Sequence, residues 1–335
     1  MKLQMALVKK GRKQPVKQTE MMMVLVEKSK ETILKTKPTV YIVAGPTAIG
    51  KTAFAIELAK VLDTAIISAD SRQCFKELSI GVARPSETEL AAVKHYFIAD
   101  HSIRENLNAA YFEQFALQKT VELLEHHQSV VMVGGTGLYI KAFCEGIDPM
   151  PAIDPEIRET IINNYEAKGM IWLQSEIKHR DPAFWAVAEQ MNPQRLMRAL
   201  EVLNATGKSI LHFRNATKKE RPFRIIKIGL EMPMEVLTKR IHQRVDKMVV
   251  AGLFEEAASV IDYRNQTALQ TVGYKEVFDY IDGLITKEEA INQIKIHTRQ
   301  YAKRQMTWFK KDPEFAWYNV GSLSMETILT RVLEG

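Results

Sequence analysis

Cysteine is nearly absent. Cys74 and Cys144 are the two in 335 residues, too few for a disulfide framework or a thiolate metal site, and a reducing compartment, the cytoplasm, is the expectation. No apolar run approaches the eighteen or so residues of a membrane-spanning helix, so no membrane partner is expected. Basic charge, too, is missing from most of the chain. The formal net charge of +6 reads at first as a nucleic-acid signal, yet residues 1–37 hold ten Lys/Arg against three Asp/Glu, which leaves residues 38–335 at −1. That tail mixes Lys9, Lys10, Arg12, Lys13 and Lys17 with the run Met21 to Met23. It lacks an apolar stretch followed by a cleavage site, and it is poor in Arg and Ser, so neither a signal nor a transit peptide is read there. It is taken as a disordered basic extension, or as residues upstream of the true start, in preference to an RNA-holding arm.

What is present is organised around Gly45-Pro46-Thr47-Ala48-Ile49-Gly50-Lys51-Thr52. The run fills G-x-x-x-x-G-K-[ST], a loop whose backbone N–H groups turn inward around a phosphate. Val40 to Ala44 before it is a short apolar run of strand type. After it Phe54, Leu58, Val61 and Leu62 recur at helical spacing. Strand, glycine turn and helix N-terminus together make an anion cradle. In it Lys51 reaches the outer phosphate and the Thr52 hydroxyl holds Mg²⁺. The loop specifies a nucleotide phosphate or a diphosphate and goes no further.

Ala65 to Ala69 reads as a second strand, ending in Asp70-Ser71-Arg72-Gln73. Strands alternating with helices imply a parallel sheet, which collects ligands at the carboxyl ends of its strands. Asp70 falls at such an end, where an acid serves equally well as a helix cap. A helix is expected around Tyr111 to His126, then a third strand over Ser129 to Val133. Nucleotide kinases commonly end such a strand in a Mg²⁺-binding Asp. Here Gly134-Gly135-Thr136-Gly137 stands instead, which is read as room for a ligand against the backbone. From about 151 to 219 strand signals fade, and Asp154-Pro155, Asp181-Pro182 and Asn192-Pro193 each mark a helix start. Strand pattern returns at Arg224 to Leu230. Beyond Pro233 a helix sets Leu237, Ile241, Val245 and Met248 on one face and Arg240, Arg244 and Lys247 on another, and Gly252 ends it. The last long helix opens with the capping box Thr286 to Glu289 and stops at Asp312-Pro313. Its residues 295–311 carry six Lys/Arg and no acid, interleaved with Tyr301, Trp308 and Phe309. A stripe of Lys295, Arg299, Lys303 and Lys310 facing nucleic acid and a solvated face over an aromatic core fit that pattern equally.

These segments, in this order, resemble the tRNA dimethylallyltransferase family over about Thr39 to Asp312. The loop, Asp70 to Gln73, Gly134 to Tyr139, Pro193 to Leu196, Gly273-Tyr274-Lys275-Glu276 and Thr298-Arg299-Gln300-Tyr301-Ala302-Lys303-Arg304-Gln305 carry the resemblance. It implies a phosphate-loop (P-loop NTPase-like) α/β core over 38–150 and 220–335, a parallel sheet flanked by helices, with a helical insertion at 151–219. It also implies transfer of a dimethylallyl group from dimethylallyl diphosphate to an adenosine beside the anticodon of tRNA, with Mg²⁺. Asp70 is then the base, Thr136 the channel mouth and Arg244 the partner of the departing oxygen. Contacts to the tRNA anticodon stem-loop fall to Asp70, Ser71, Arg72, Gln73, Arg158, Gln194, Arg195, Leu196, Met197, Arg198 and Lys303. A monomer is expected, and no zinc-finger extension of the eukaryotic kind is present, so the resemblance is to the bacterial type. The chain departs from the family at Phe75, Val82 and Lys310, where Tyr, Thr and Arg are usual. A nucleotide kinase using ATP, a prenyltransferase of free adenine nucleotides and a non-enzymatic RNA-binding module are the alternatives.

Overall fold

The computed structural model describes residues 37–214 and 217–334. The tail discussed above lies outside the described residues, Lys37 apart. The chain divides into two compact units, one of residues 1–144 with 221–335 and one of Glu145–Glu220.

The first unit is an α/β fold on one parallel sheet. Its strands are β1 (Thr39–Ala44), β2 (Ile66–Ser68), β3 (His95–Tyr96), β4 (Ser129–Gly134), β5 (Arg224–Glu231) and β6 (Phe315–Asn319), in the order β3-β2-β4-β1-β5-β6. β1 and β4 are buried at every residue, as strands covered on both faces must be, and their unbroken apolar sequences follow from that. β3 and β6 were not expected. The first is two residues long, too short to leave a periodic signature, and the second follows Pro313, where the helical pattern had already stopped.

The helices of this unit are α1 (Lys51–Leu62), α2 (Glu87–Ala92), α3 (Ala109–Leu124), α4 (Gly137–Glu145), then, after the insertion, α8 (Met234–Val250), α9 (Leu253–Ser259), α10 (Tyr274–Ile281), α11 (Lys287–Phe309) and α12 (Met325–Glu334). α1 starts from Gly50, whose φ of 104° is a left-handed geometry that costs glycine little. Leu237, Ile241 and Val245 of α8 are buried, as their spacing predicts, and Met248 is half-buried.

Register places the functional loops. Ala44 at the end of β1 is level with Gly134 of β4, and Ser68 at the end of β2 is level with Val133. The phosphate loop, Asp70 and Gly135 therefore emerge side by side from one edge of the sheet, the carboxyl edge where parallel sheets bind ligands.

The second unit is helical: α5 (Pro155–Arg180), α6 (Pro182–Val187) and α7 (Pro193–Thr206). All three expected helix starts form. The Asp154 carboxylate accepts from Glu156 N, Asp181 from Phe184 N and the Asn192 side chain from Arg195 N, and a proline occupies the first turn where no N–H is needed. Ile161, Leu173, Ile177, Phe184, Leu196 and Leu200 make its core. α5 is kinked at Gly169, φ 71° and ψ −169°.

Candidate active site

The phosphate loop is held by side chains far away in sequence. Lys51 Nζ donates to Pro46 O at 2.8 Å, folding back across its own loop. Arg244 Nη1 donates to Thr47 Oγ1 at 3.1 Å and Arg240 Nη1 to Ile49 O at 3.3 Å. Two arginines of the basic face of α8 thus serve the loop. Gln305 of α11, buried, bridges two loops: its Oε1 accepts from Thr47 N at 2.8 Å and its Nε2 donates to Gly135 O at 2.9 Å.

That bridge corrects the reading of Gly134 to Gly137 as space for a ligand. A Cβ at Gly135 would lie 2.2 Å from Gln305 Nε2, one at Gly137 2.2 Å from the Trp308 ring, and one at Gly134 2.2 Å from Ala69 O. The glycines admit the protein's own groups. Thr136 among them faces the site: its Oγ1 accepts from Ser71 N at 3.0 Å and donates to Ser71 Oγ at 3.3 Å.

Asp70 Oδ1 accepts from Arg72 N at 2.9 Å and Gln73 N at 3.2 Å, a local turn that fixes the carboxylate. Its Oδ2 has no hydrogen bond among the described residues, and Asp70 lines a cavity. That cavity is about 680 Å³, lined by Asp70, Thr136 and Arg244 and by Val82, Tyr301 and Arg304. Arg72 lines it too, with Nη1 on Ser71 O.

The electrostatics of the loop suit an anion. Burial, and then the charge of Arg244, lower the Lys51 pKa to about 7, with Asp70 pulling the other way. Arg244 is itself lowered by burial, again opposed by Asp70. Lys51 and Arg244 thus press on each other with Asp70 beside them. From about pH 7 to 10.5 the folded protein has shed the Lys51 proton while the unfolded chain keeps it, so this group makes the ligand-free protein more stable as pH rises through that window. A bound diphosphate favours the charged form. Binding of an alkyl diphosphate at pH 8 should therefore take up about one proton, read in calorimetry as an enthalpy that varies with the buffer's ionisation enthalpy. No uptake would mean that Lys51 is already charged.

The donor set also fits a divalent cation. Thr52, half-buried at the start of α1, has a hydroxyl without a hydrogen bond among the described residues. No group of three or more His, Cys, Asp or Glu could cage a metal among them. One protein hydroxyl with ligand oxygens and water is how Mg²⁺ accompanies a diphosphate.

The remaining expected contacts divide. Leu196 and Met197 are buried in the second unit's core, so side-chain contact with RNA is corrected to Gln194, Arg195 and Arg198. Of these Arg195 is paired with Glu189 at 2.9 Å, while Arg198 and Arg158 approach the buried Glu201 at 3.0 and 3.9 Å. Along α11, Lys295 pairs with Asp246 at 2.6 Å and Lys310 with Glu231 at 2.7 Å, while Arg299, Lys303, Arg304, Lys310 and Lys311 are exposed. Lys310 also lies 3.9 Å over the Trp317 ring. Phe75 is buried and cannot touch a substrate, whereas Val82 lines the cavity. Gln305 was missed as a site residue, although it is the last letter of a motif already singled out.

A glycine loop closing on Lys51 at the carboxyl edge of a parallel sheet, with Arg244 and the Asp70 carboxylate beside it, defines a phosphate-loop α/β protein built to bind a phosphate ester. Comparison with known proteins narrows the class. A family model described as IPP transferase matches residues 73–312. A tRNA dimethylallyltransferase of Cytophaga hutchinsonii is 50% identical over 285 residues, 85% of this chain and 94% of that protein, and one of Christiangramia forsetii is 49% identical over 276 residues, 82% and 91%. The crystal structure of the full-length tRNA isopentenylpyrophosphate transferase from Bacillus halodurans aligns with a TM-score of 0.66 at 32% identity, covering 89% of this chain and 95% of that one. The chain belongs to the IPP transferase family.

Proposed function

We propose that the protein transfers a dimethylallyl group from dimethylallyl diphosphate to the exocyclic amine of the adenosine just 3′ of the anticodon in tRNA. The observation that carries the reading is that Asp70 and Arg244 line one cavity, with Lys51 close enough to feel the charge of both. The allylic C–O bond breaks as the N–C bond forms. Lys51, Arg244 and the loop's N–H groups stabilise the charge that collects on the departing diphosphate. Bound at Thr52, Mg²⁺ would supply further charge neutralisation to the same oxygens. The amine's lone pair is delocalised into the ring, and Asp70 removes its proton during attack. The products are N6-isopentenyladenosine and diphosphate. An adenine stacked in a loop cannot enter such a cavity, so the base is extruded, the cost offset by contacts to the RNA.

RNA contacts are assigned to Ser71, Arg72, Gln73 and Lys303 in the first unit and to Arg158, Gln194, Arg195 and Arg198 in the second. Among the described residues no helix is long and apolar enough to cross a membrane, and the reaction is placed in the cytoplasm with its tRNA. The reading is tested by a single-turnover assay with labelled dimethylallyl diphosphate and unmodified tRNA, AMP, or neither. Transfer to AMP alone would favour the free-nucleotide enzyme.

Affinity for a polyanion must come from local cations, because residues 38–335 sum to −1. Lys303 is exposed and has no carboxylate partner among the described residues. Lys303→Ala should weaken tRNA binding at low salt and reduce the slope of log affinity against log salt by roughly 0.7 to 1. An unchanged slope in filter binding would remove Lys303 from the interface. Arg198→Ala is a poorer probe, since it also strips Glu201 of its nearer partner.

A further inference from the structure

One wall of the cavity is a strap, Ser79 to Arg84, with no regular secondary structure. Gly81, Val82 and Ala83 face the cavity that holds Asp70, and Ala83 sits at φ 47°, a strained geometry for a side chain that surrounding structure must enforce. The first half of the strap is held by one carboxylate. Glu256 Oε2 accepts from Ser79 N and Ile80 N, and Oε1 from Gly81 N, each at 2.8 Å. The Tyr274 hydroxyl donates to the same Oε1 at 2.7 Å, and burial together with the Glu256 charge raises the Tyr274 pKa so that the hydroxyl stays a donor. The Tyr274 ring fills the space a Cβ at Gly81 would take, 2.6 Å away. Four donors on one ionised acceptor make a strong anchor. The strap in turn holds the segment after Asp70: Gln73 Nε2 donates to Val82 O at 3.3 Å and Ala83 O at 2.9 Å, while Gln73 N is bound by Asp70 Oδ1.

We infer that Glu256, which does not line the cavity, is a positioning residue for transfer: it latches the Ser79 to Ala83 strap and, through Gln73, fixes the Asp70 carboxylate. The inference rests on the prenyl-transfer reading above. Because the phosphate loop makes none of these contacts, the latch should govern the rate and leave donor binding alone.

The test is Glu256→Gln, which turns an amide N–H₂ toward backbone N–H groups that need an acceptor. Hydrogen exchange at Ser79 to Gly81 should accelerate at least about tenfold. The single-turnover rate at saturating tRNA and donor, well below the melting temperature, should fall roughly ten- to a hundredfold, as misplacement of a reacting group does. Affinity for dimethylallyl diphosphate should stay within about threefold. Faster exchange with an unchanged rate would overturn the inference, and so would a rate loss matched by an equal loss of donor affinity. Should that variant not fold, Tyr274→Phe removes one donor and leaves the three backbone bonds. It should move exchange and rate in the same directions by less, and no movement in either overturns the inference. A wild-type protein that transfers nothing to tRNA would sink the functional reading, while the exchange arm would still judge the latch.

Discussion

Asp70→Asn should slow single-turnover transfer by about a hundred- to ten-thousandfold, the usual worth of a positioned general base. Asparagine is the informative replacement because its side-chain oxygen can still accept from Arg72 N and Gln73 N, the bonds that shape the turn. The change then falls on the second oxygen, which has no hydrogen bond among the described residues. Alanine would remove base and turn together. Binding of donor and of tRNA should be nearly unchanged. A variant with near-normal rate and weakened tRNA binding would make Asp70 a docking residue, and the base would have to be sought elsewhere in the cavity.

Lys51→Ala should abolish transfer by removing the charge that holds the donor's diphosphate, and it should do so without loss of stability. The second half is the less obvious. In the ligand-free protein Lys51 is a buried cation beside Arg244, lowered to about pH 7, and removing such a group relieves a cost of folding. The melting temperature near pH 7 should therefore be equal or higher, while calorimetric titration with dimethylallyl diphosphate shows no binding. A destabilised variant that still binds donor would overturn both. Vigorous tRNA-stimulated ATP hydrolysis by the wild type would replace the donor reading with that of a kinase or ATPase.

The parts of this site legible in sequence are those encoded over a few neighbours. The glycine loop, the apolar strand before it, Asp70 at the end of β2 and the proline-marked helix starts each carry their signal within about ten residues. What sequence misjudged depends on partners far along the chain. Gly135 reads as ligand space until Gln305, 170 residues on, is seen to fill it. The pattern fits Lys310 and Lys295 equally to nucleic acid and to solvent, and their acidic partners Glu231 and Asp246 lie on other elements. Leu196 and Met197 sit inside a charged motif, yet a helix surface alternates with its core, and they face inward. Glu256 carries no local sign of its role at all: it is one of two adjacent acids in the first turn of α9, and only the strap 175 residues upstream distinguishes it from Glu255.

The position of β1 between β4 and β5 has a consequence for how the chain is made. β1 is complete by Ala44, but its second neighbour begins at Arg224, after the whole insertion. As the chain leaves the ribosome, the insertion's own partners are all within reach before that strand exists, so α5 to α7 can close their core first. Until residue 231 emerges, β1 keeps one row of backbone groups unpaired, an apolar edge of the kind that recruits foreign strands. The phosphate loop is thus made well before the strand that secures it.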